Sequence, residues 1–227
     1  NLAWKLALVM RGVAPDWWLD TYESERRRIA EDVLTWTKKA NDQFALFSEL
    51  TPAQRDQVLE HMVAPENERR KARAHEEEID LDYRSSRLCF ERDEDFGAGP
   101  HAGARAPDAK GLRVAGKTST FLEATRAPQH HLLLFSETET IEPQLMTAAQ
   151  QALDAHRHWL EVFIVGPEGC EARLPAGARL LEDPEGALRR RYDGDAARVY
   201  LIRPDGYVAY RSRGVEGLEE HLQRVLS

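Results

Sequence analysis

Cys89 and Cys170 are the two cysteines of the 227-residue sequence and its strongest candidate nucleophiles. They lie far apart in the sequence and form neither a Cys-x-x-Cys pair nor the spacing of a zinc site. Cysteine chemistry depends on a lowered thiol pKa, which a helix N-terminus or a neighbouring cation provides. We interpret both cysteines as small apolar side chains or surface thiols, in a reducing, cytoplasmic setting.

Histidines are the next candidates, as metal ligands. His130 and His131 are adjacent, so on a strand their side chains point to opposite faces. His156 and His158 lie two residues apart at a predicted helix end, which does not place them on one helical face. No acidic residue stands at a diagnostic spacing from them. We therefore interpret these histidines as solvated and predict no metal-binding residues.

Other signatures of chemistry are missing from the sequence. It contains no Ser-His-Asp signature, no glycine-rich phosphate loop and no Rossmann glycine fingerprint. The net charge of -8 and the pI near 5.6 argue against non-specific nucleic-acid binding, which needs a basic face. No apolar run approaches the 18 or so residues of a transmembrane helix. We predict no catalytic and no cofactor-binding residues, and neither nucleic acid nor a membrane as a partner.

The first part of the chain is predicted to be helical. Residues 1–11 are apolar almost all round and end at Gly12, which is typical of a buried helix. Because such a helix needs a partner, we expect upstream sequence to cover it and the chain to be a fragment. A second helix begins at Pro15 and carries one apolar stripe over roughly 30 residues. A third begins at Pro52 behind a Thr51–Gln54 capping box. The mixed-charge residues 66–78 suggest a solvated surface helix.

The second part of the chain alternates strands and helices after a boundary rich in glycine and proline at residues 93–111. The predicted elements are strand 131–135, helix 143–158, strand 160–165, a short strand 178–182, a helix from Asp183 to about Tyr192, a hairpin of strands 197–203 and 206–211 about Pro204-Asp205-Gly206, and a final helix from Val215 to Leu226. Without the short strand 178–182, the core order is β-α-β-α-β-β-α. It predicts a parallel first pair of strands, an antiparallel hairpin at the sheet edge and helices on both faces, which is a thioredoxin-like layout.

Redox chemistry is not expected of this layout. A redox-active thioredoxin places its thiols at the helix N-terminus after the first core strand. Here that position is residues 136–143, which hold no cysteine, and Ala196 and Ala197 stand where thioredoxins carry a cis-proline. We predict a non-redox, structural domain.

Four segments resemble the FAD-dependent aromatic-ring hydroxylases of the phenol hydroxylase and hydroxyphenylpropionate hydroxylase kind. Asn1-Leu-Ala-Trp-Lys-Leu-Ala7 is similar to the helix after that family's last flavin-contacting loop, and Asp20-Thr-Tyr-Glu-Ser-Glu-Arg26 to its Tyr-Glu-x-Glu-Arg helix. Gly103-Ala-Arg-Ala-Pro-Asp108 resembles the entry to the C-terminal thioredoxin-like domain of some members. Tyr200-Leu-Ile-Arg-Pro-Asp-Gly-Tyr-Val-Ala-Tyr-Arg211 resembles the hairpin of that domain.

The resemblance implies an α/β chain in three parts. Residues 1–92 are the C-terminal helices and arm of the FAD and substrate domain, 93–111 a linker, and 112–227 a thioredoxin-like βαβαββα domain lacking Cys-x-x-Cys. The implied activity is a monooxygenase in which NAD(P)H reduces FAD and oxygen is transferred to a small aromatic, usually phenolic, substrate. The implied partners are an upstream flavin-binding portion of the same protein and a second copy in a homodimer. We expect this segment alone to bind no FAD and to be inactive, and we assign no flavin contact to Asn1.

An alternative interpretation is a self-contained, non-redox thioredoxin-like module for interaction or dimerisation. The complete βαβαββα pattern without cysteines at the redox position motivates it.

Overall fold

The computed structural model describes the backbone of residues 1–61, 81–93, 95–136, 138, 140–170, 173–194 and 198–226. The predicted surface helix at residues 66–78 and the Ala196–Ala197 pair lie outside the described residues.

Helices and strands alternate through most of the described chain. The helices are α1 (Leu2–Met10), α2 (Trp17–Glu49), α3 (Pro52–His61), α4 (Phe121–Ala124), α5 (Pro143–His156), α6 (Ala187–Tyr192) and α7 (Leu218–Leu226). The strands are β1 (Phe90–Glu91), β2 (Leu112–Val114), β3 (Lys117–Ser119), β4 (His130–Phe135), β5 (Leu160–Gly166), β6 (Ala178–Glu182), β7 (Arg198–Ile202) and β8 (Val208–Ser212). The predicted elements of the second half are therefore all present.

The strands form one mixed sheet in the order β1-β8-β7-β4-β5-β6-β2-β3. Strands β4 and β5 are parallel and joined by helix α5, which confirms the predicted first pair. Strand β6 continues the parallel set, whereas β7 runs antiparallel to β4 and β8 antiparallel to β7. The Pro204-Asp205-Gly206 turn joins β7 to β8, as its residue types predict.

One prediction about the sheet edges is wrong, and one edge hairpin was missed. The β7–β8 hairpin is not an edge, because Phe90 and Glu91 of β1 pair in parallel with Tyr210 and Arg211. The β2–β3 hairpin at the other end was not predicted. Its turn is Ala115-Gly116, with φ of 49° and 75°, and alanine at a positive φ is not a turn signal that a sequence pattern offers.

Helices cover both faces of the sheet, as predicted. One core cluster lies under α1, α5 and α7, which contribute Trp4, Leu145 and Leu222 among others. The second lies under α4 and α6, which contribute Phe121 and Tyr192. Strand β4 supplies both clusters, because its successive side chains point to opposite faces.

Helix α1 is buried along one face only. Trp4, Lys5 and Leu8 are buried, whereas Leu2 and Leu6 are exposed and Met10 is 78% exposed. This chain therefore buries one face of α1 and leaves the other exposed, so the expected burial all round is met only in part. Lys5 is a charged residue in this apolar segment, yet its side chain is fully buried and donates a hydrogen bond from Nζ to Thr21 Oγ1 at 2.8 Å.

The described chain divides into two compact units, one of residues 1–22 and 82–227 and the other of residues 23–81. Helix α2 passes through both over its 33 residues. Its predicted apolar stripe is buried only in part. Trp18 and Ile29 are buried, but Val33 and Trp36 are exposed and Phe44 is 73% exposed.

Asp183 caps helix α6, and its replacement tests this part of the fold. The buried carboxylate accepts hydrogen bonds from the backbone N–H groups of Ala187 and Arg189, both at 2.8 Å. We expect Asp183→Ala to lower the free energy of unfolding by about 2 kcal/mol, because two helical N–H groups lose a charged acceptor. Urea denaturation measures the change. Asp154→Ala, at an exposed carboxylate, is the control, and an equal loss in both variants would contradict the capping role.

Candidate functional site

The carboxyl end of β4 is where a thioredoxin would carry its thiols. Here Ser136 is fully buried and its hydroxyl donates to Glu142 Oε2 at 2.7 Å and lies 3.0 Å from the carbonyl oxygen of Thr138. The hydroxyl and the carboxylate are thus hydrogen-bonded to each other ahead of helix α5. These contacts link Ser136 to Glu142, ahead of helix α5, and provide no thiol.

Neither cysteine lies at that position. Cys170 is buried in the core cluster under α1, α5 and α7. Cys89 is half-buried, with its sulfur 3.8 Å from Nη1 of Arg203. The two cysteines form no disulfide with each other.

The prediction that the four histidines are solvated is wrong for three of them. His130, His131 and His156 are buried, and only His158 is exposed. The predicted opposite orientation of the first two is confirmed: the His130 ring lies 5.2 Å from that of Trp4, whereas His131 lies 6.0 Å from the Phe163 ring in the other core cluster. Within the described ranges, no three or more His, Cys, Asp and Glu side chains form a group that could hold a metal ion.

Burial governs the protonation of these rings. It lowers the pKa of His130 well below its usual range, with a smaller contribution from the charge of Arg203. Burial also lowers the pKa of His131 to about 4, against the opposing effect of the carbonyl of Ala127, which lies 3.2 Å from its Nε2. His221, packed 4.4 Å from the Tyr210 ring, has a pKa lowered to about 3 for the same reason.

Below helix α1 lies a cluster of aromatic rings around His130. The ring centroids of Trp4, Trp18 and Trp159 lie 5.2, 6.0 and 5.0 Å from that of His130, each in an edge-on arrangement. Trp18 also donates its indole N–H to the carbonyl of Val225 at 2.6 Å. The start of α2 is thereby tied to the end of α7 by a direct hydrogen bond.

Polar contacts join the first helix to the turn of the β7–β8 hairpin. Oδ2 of Asp205 accepts hydrogen bonds from Trp4 Nε1 at 3.0 Å and from Asn1 Nδ2 at 3.2 Å. The same carboxylate pairs with Arg203, through Nε at 3.0 Å and Nη2 at 2.7 Å. We call Asn1, Trp4, Arg203 and Asp205 the helix–hairpin junction.

Arg203 is enclosed in this junction. Its side chain is fully buried, and its guanidinium carbon lies 5.1 Å from the Trp4 ring, 4.9 Å from the Tyr83 ring and 5.9 Å from the Tyr207 ring. A buried cation is tolerated when a carboxylate and aromatic faces replace its water. The sequence pattern placed Arg203 at the end of a predicted strand and Asp205 in the turn, and it predicted no ion pair between them. The available signal was the opposite charges two residues apart.

Described residues of the unit formed by residues 1–22 and 82–227 line a small cavity and a larger groove. One of about 10 Å³, close to the volume of one water molecule, is lined by residues that include Trp4, His130 and Trp159. The other, of about 240 Å³, is a groove between α5 and α7 lined by Gln151 and Leu218 among others. Drug-sized ligands occupy pockets of about 300–1,000 Å³, and a flavin dinucleotide is at least as large. Neither cavity fits a flavin site built from this chain alone.

Family models match two segments of the chain. The model described as "Aromatic-ring hydroxylase, C-terminal" matches residues 99–227, more than half of the sequence. The chain belongs to this aromatic-ring hydroxylase family. A second model, described as "FAD binding domain", matches residues 1–37. The family resemblance inferred from the sequence is confirmed, and the helix–hairpin junction joins residues from the two matched segments.

Known relatives agree with this assignment. The chain is 31% identical to 6-methylpretetramide 4-monooxygenase of Streptomyces rimosus, over 98% of the chain and 39% of the relative. It is 30% identical to pentachlorophenol 4-monooxygenase of Sphingobium chlorophenolicum, over 93% of the chain and 37% of the relative. The solved structure of aklavinone-11 hydroxylase with FAD and aklavinone is 27% identical, with a TM-score of 0.63, over 100% of the chain and 38% of that structure. The chain thus spans about two fifths of the length of these relatives.

Acid should destabilise the unit of residues 1–22 and 82–227, which contains the buried histidines. A histidine whose folded-state pKa is lowered stabilises the fold fully above the unfolded pKa of about 6.5, and this stability is lost as pH falls towards the folded value. For His131 and His221 those folded values are about 4 and 3. We expect the free energy of unfolding to fall by about 2 kcal/mol per buried histidine between pH 7.5 and pH 5. Urea titrations at a series of pH values measure it.

His221→Phe keeps an aromatic ring beside Tyr210 and removes one titrating group. Its unfolding free energy should depend on pH less steeply than that of the unmodified chain. Below pH 6 the variant should take up about one proton fewer on unfolding. His158→Gln, at an exposed histidine, should keep the original slope. An unchanged slope in His221→Phe would refute the assignment of this histidine as neutral in the fold.

Proposed function

We propose that the chain is the C-terminal part of an FAD-dependent, NAD(P)H-using monooxygenase that hydroxylates a small aromatic, phenolic substrate. One observation carries the proposal: a single chain matches the flavin-binding model in its first residues and the ring-hydroxylase model in its last. The relatives that align along nearly the whole chain bear the names of aromatic monooxygenases. The proposed setting is the cytoplasm. No helix among the described residues is long and apolar enough to cross a membrane.

FAD would supply the oxygen-activating chemistry, and the rest of the longer protein would bind it. Two features of this chain support that division: neither described cavity accommodates a flavin, and the sequence has no glycine-rich phosphate loop. In this proposal residues 1–92 belong to the flavin and substrate domain, residues 93–111 form a linker, and residues 112–227 form a non-redox thioredoxin-like domain. The parallel β4–β5 pair with the antiparallel β7–β8 hairpin supports the thioredoxin-like layout.

The exposed face of helix α1 is the proposed contact with the flavin-binding portion. Leu2, Leu6 and Met10 are exposed on a helix whose other face is buried in the core cluster. This helix lies within the segment that matches the flavin-binding model. Apolar side chains gathered on one exposed face favour a protein surface as their partner. Association of two copies into a homodimer is a further part of the proposal.

The decisive experiment uses the full-length protein that contains this chain. We expect it to purify with a flavin absorbance spectrum and to oxidise NADH or NADPH faster when a phenol is added. Mass spectrometry after reaction under ¹⁸O₂ should detect one labelled oxygen in the product. A flavin-free full-length protein, or NAD(P)H oxidation that never yields a hydroxylated ring with any phenol tested, would contradict the proposal.

A self-contained non-redox interaction module is the second candidate. The observation in its favour is that residues 1–22 and 82–227 form a compact unit with a core on each face of its sheet. That candidate predicts that residues 1–227, purified alone, are well folded and monodisperse. Sedimentation of the purified chain, alone and with the flavin-binding portion supplied separately, distinguishes the two: only the monooxygenase proposal expects a complex.

Charged residues on the exposed face of α1 should weaken its contact with the flavin-binding portion. We expect Leu6→Glu with Met10→Glu to reduce flavin occupancy of the full-length protein at least about tenfold, because two carboxylates would be buried in an apolar contact. In the isolated chain the pair should change the free energy of unfolding by less than about 0.5 kcal/mol, since both positions are exposed. Leu122→Glu, at a half-exposed leucine of α4, is the matched control and should keep full occupancy.

A further inference from the structure

We propose that the C-terminal domain acts as a clamp that fixes helix α1 through the carboxylate of Asp205. The helix–hairpin junction carries this role, because it joins Asn1 and Trp4 to the turn of the β7–β8 hairpin. The clamp is a property of this chain and is independent of the reaction catalysed by the longer protein.

Hydrogen-bond donors from two distant parts of the chain converge on one oxygen. Oδ2 of Asp205 lies 3.0 Å from Trp4 Nε1 and 3.2 Å from Asn1 Nδ2, while Arg203 approaches the same oxygen at 2.7 Å. Trp4 is separated from Asp205 by 201 positions in the sequence. The contact therefore holds the first turn of α1 against the hairpin by direct polar bonds in addition to packing.

The hairpin presents this carboxylate in a fixed position. Arg203 N–H donates to the carbonyl of Tyr207 at 2.8 Å, and Gly206 N–H donates to the carbonyl of Arg203 at 2.9 Å. Gly206 has a φ of 81°, which the tight turn requires. The bidentate pair with the buried Arg203 then orients the Asp205 side chain. An acceptor that is ordered before it receives its donors loses little entropy in binding them.

The clamped helix presents its other face to solvent. Trp4 and Leu8 are buried in the core cluster, while Met10 is 78% exposed. Any partner that docks on that exposed face meets a helix whose orientation the C-terminal sheet has already set.

Trp4→Phe is the cleanest test, because it removes the indole donor and leaves the Arg203–Asp205 pair intact. Hydrogen exchange in the 227-residue chain should show the amides of α1 exchanging about tenfold faster, the effect of losing a hydrogen bond to a charged acceptor. The amides of β4 and β5 should keep their protection. Trp17→Phe makes the same change at a neighbouring tryptophan and should leave α1 protected.

Asp205→Ala and Asp205→Asn complete the test. Alanine should accelerate exchange in α1 more than Trp4→Phe does, because both donors lose their acceptor. It should also lower protection in the β7–β8 hairpin, because Arg203 is left buried without its carboxylate. Asparagine keeps one acceptor oxygen and should restore part of the protection. Unchanged exchange in α1 of Trp4→Phe would overturn the clamp. An equal acceleration in β4 of the same variant would also overturn it, because that would show only a general loss of stability.

Discussion

Burial of the β4–β5 pair on both faces is the constraint on which the rest of this fold depends. The side chains of Leu132–Phe135 and of Val162–Val165 have no exposed surface. A parallel pair of this kind is stable only when helices cover both of its faces. Helices α5 and α7 cover one face and α4 and α6 the other, and α1 completes the first. The first helix is therefore part of the core of the C-terminal sheet.

Two buried arginines form ion pairs on the same hairpin, one within its own turn and one with a distant segment. Arg203 pairs with Asp205 at one end, and Arg211 on β8 pairs through Nε with Glu91 Oε1 at 2.6 Å. Arg211 also donates from Nη1 to the carbonyl of Gly99 at 2.6 Å. Each pair is costly to break, because removal of one partner leaves a charge in a site without water. The hairpin thus holds both the first helix and the glycine-rich stretch before β2.

The sequence was sufficient wherever a local rule decides the structure. Pro204-Asp205-Gly206 has the residue types of a tight turn, and the apolar run His131–Phe135 has the composition of a doubly buried strand. It was insufficient wherever distant contacts decide. The burial of His130 depends on Trp4 and Trp159, and no sequence spacing brings those three rings together. Lys5 likewise is buried, and its ammonium group donates a hydrogen bond to Thr21, 16 positions away in the sequence. The junction itself joins residues at opposite ends of the chain.

Both ends of the sheet are short. Strand β1 has two residues, and β3 has three, beginning at the exposed Lys117. Short edges and lysine leave few unpaired backbone groups for another strand to join. A protein that recognises this domain by adding a strand would gain only two or three residues of pairing, so recognition must use helix faces and loops. The short edge strands also protect the sheet from edge-to-edge aggregation, even though its central strands are among the most apolar stretches of the chain.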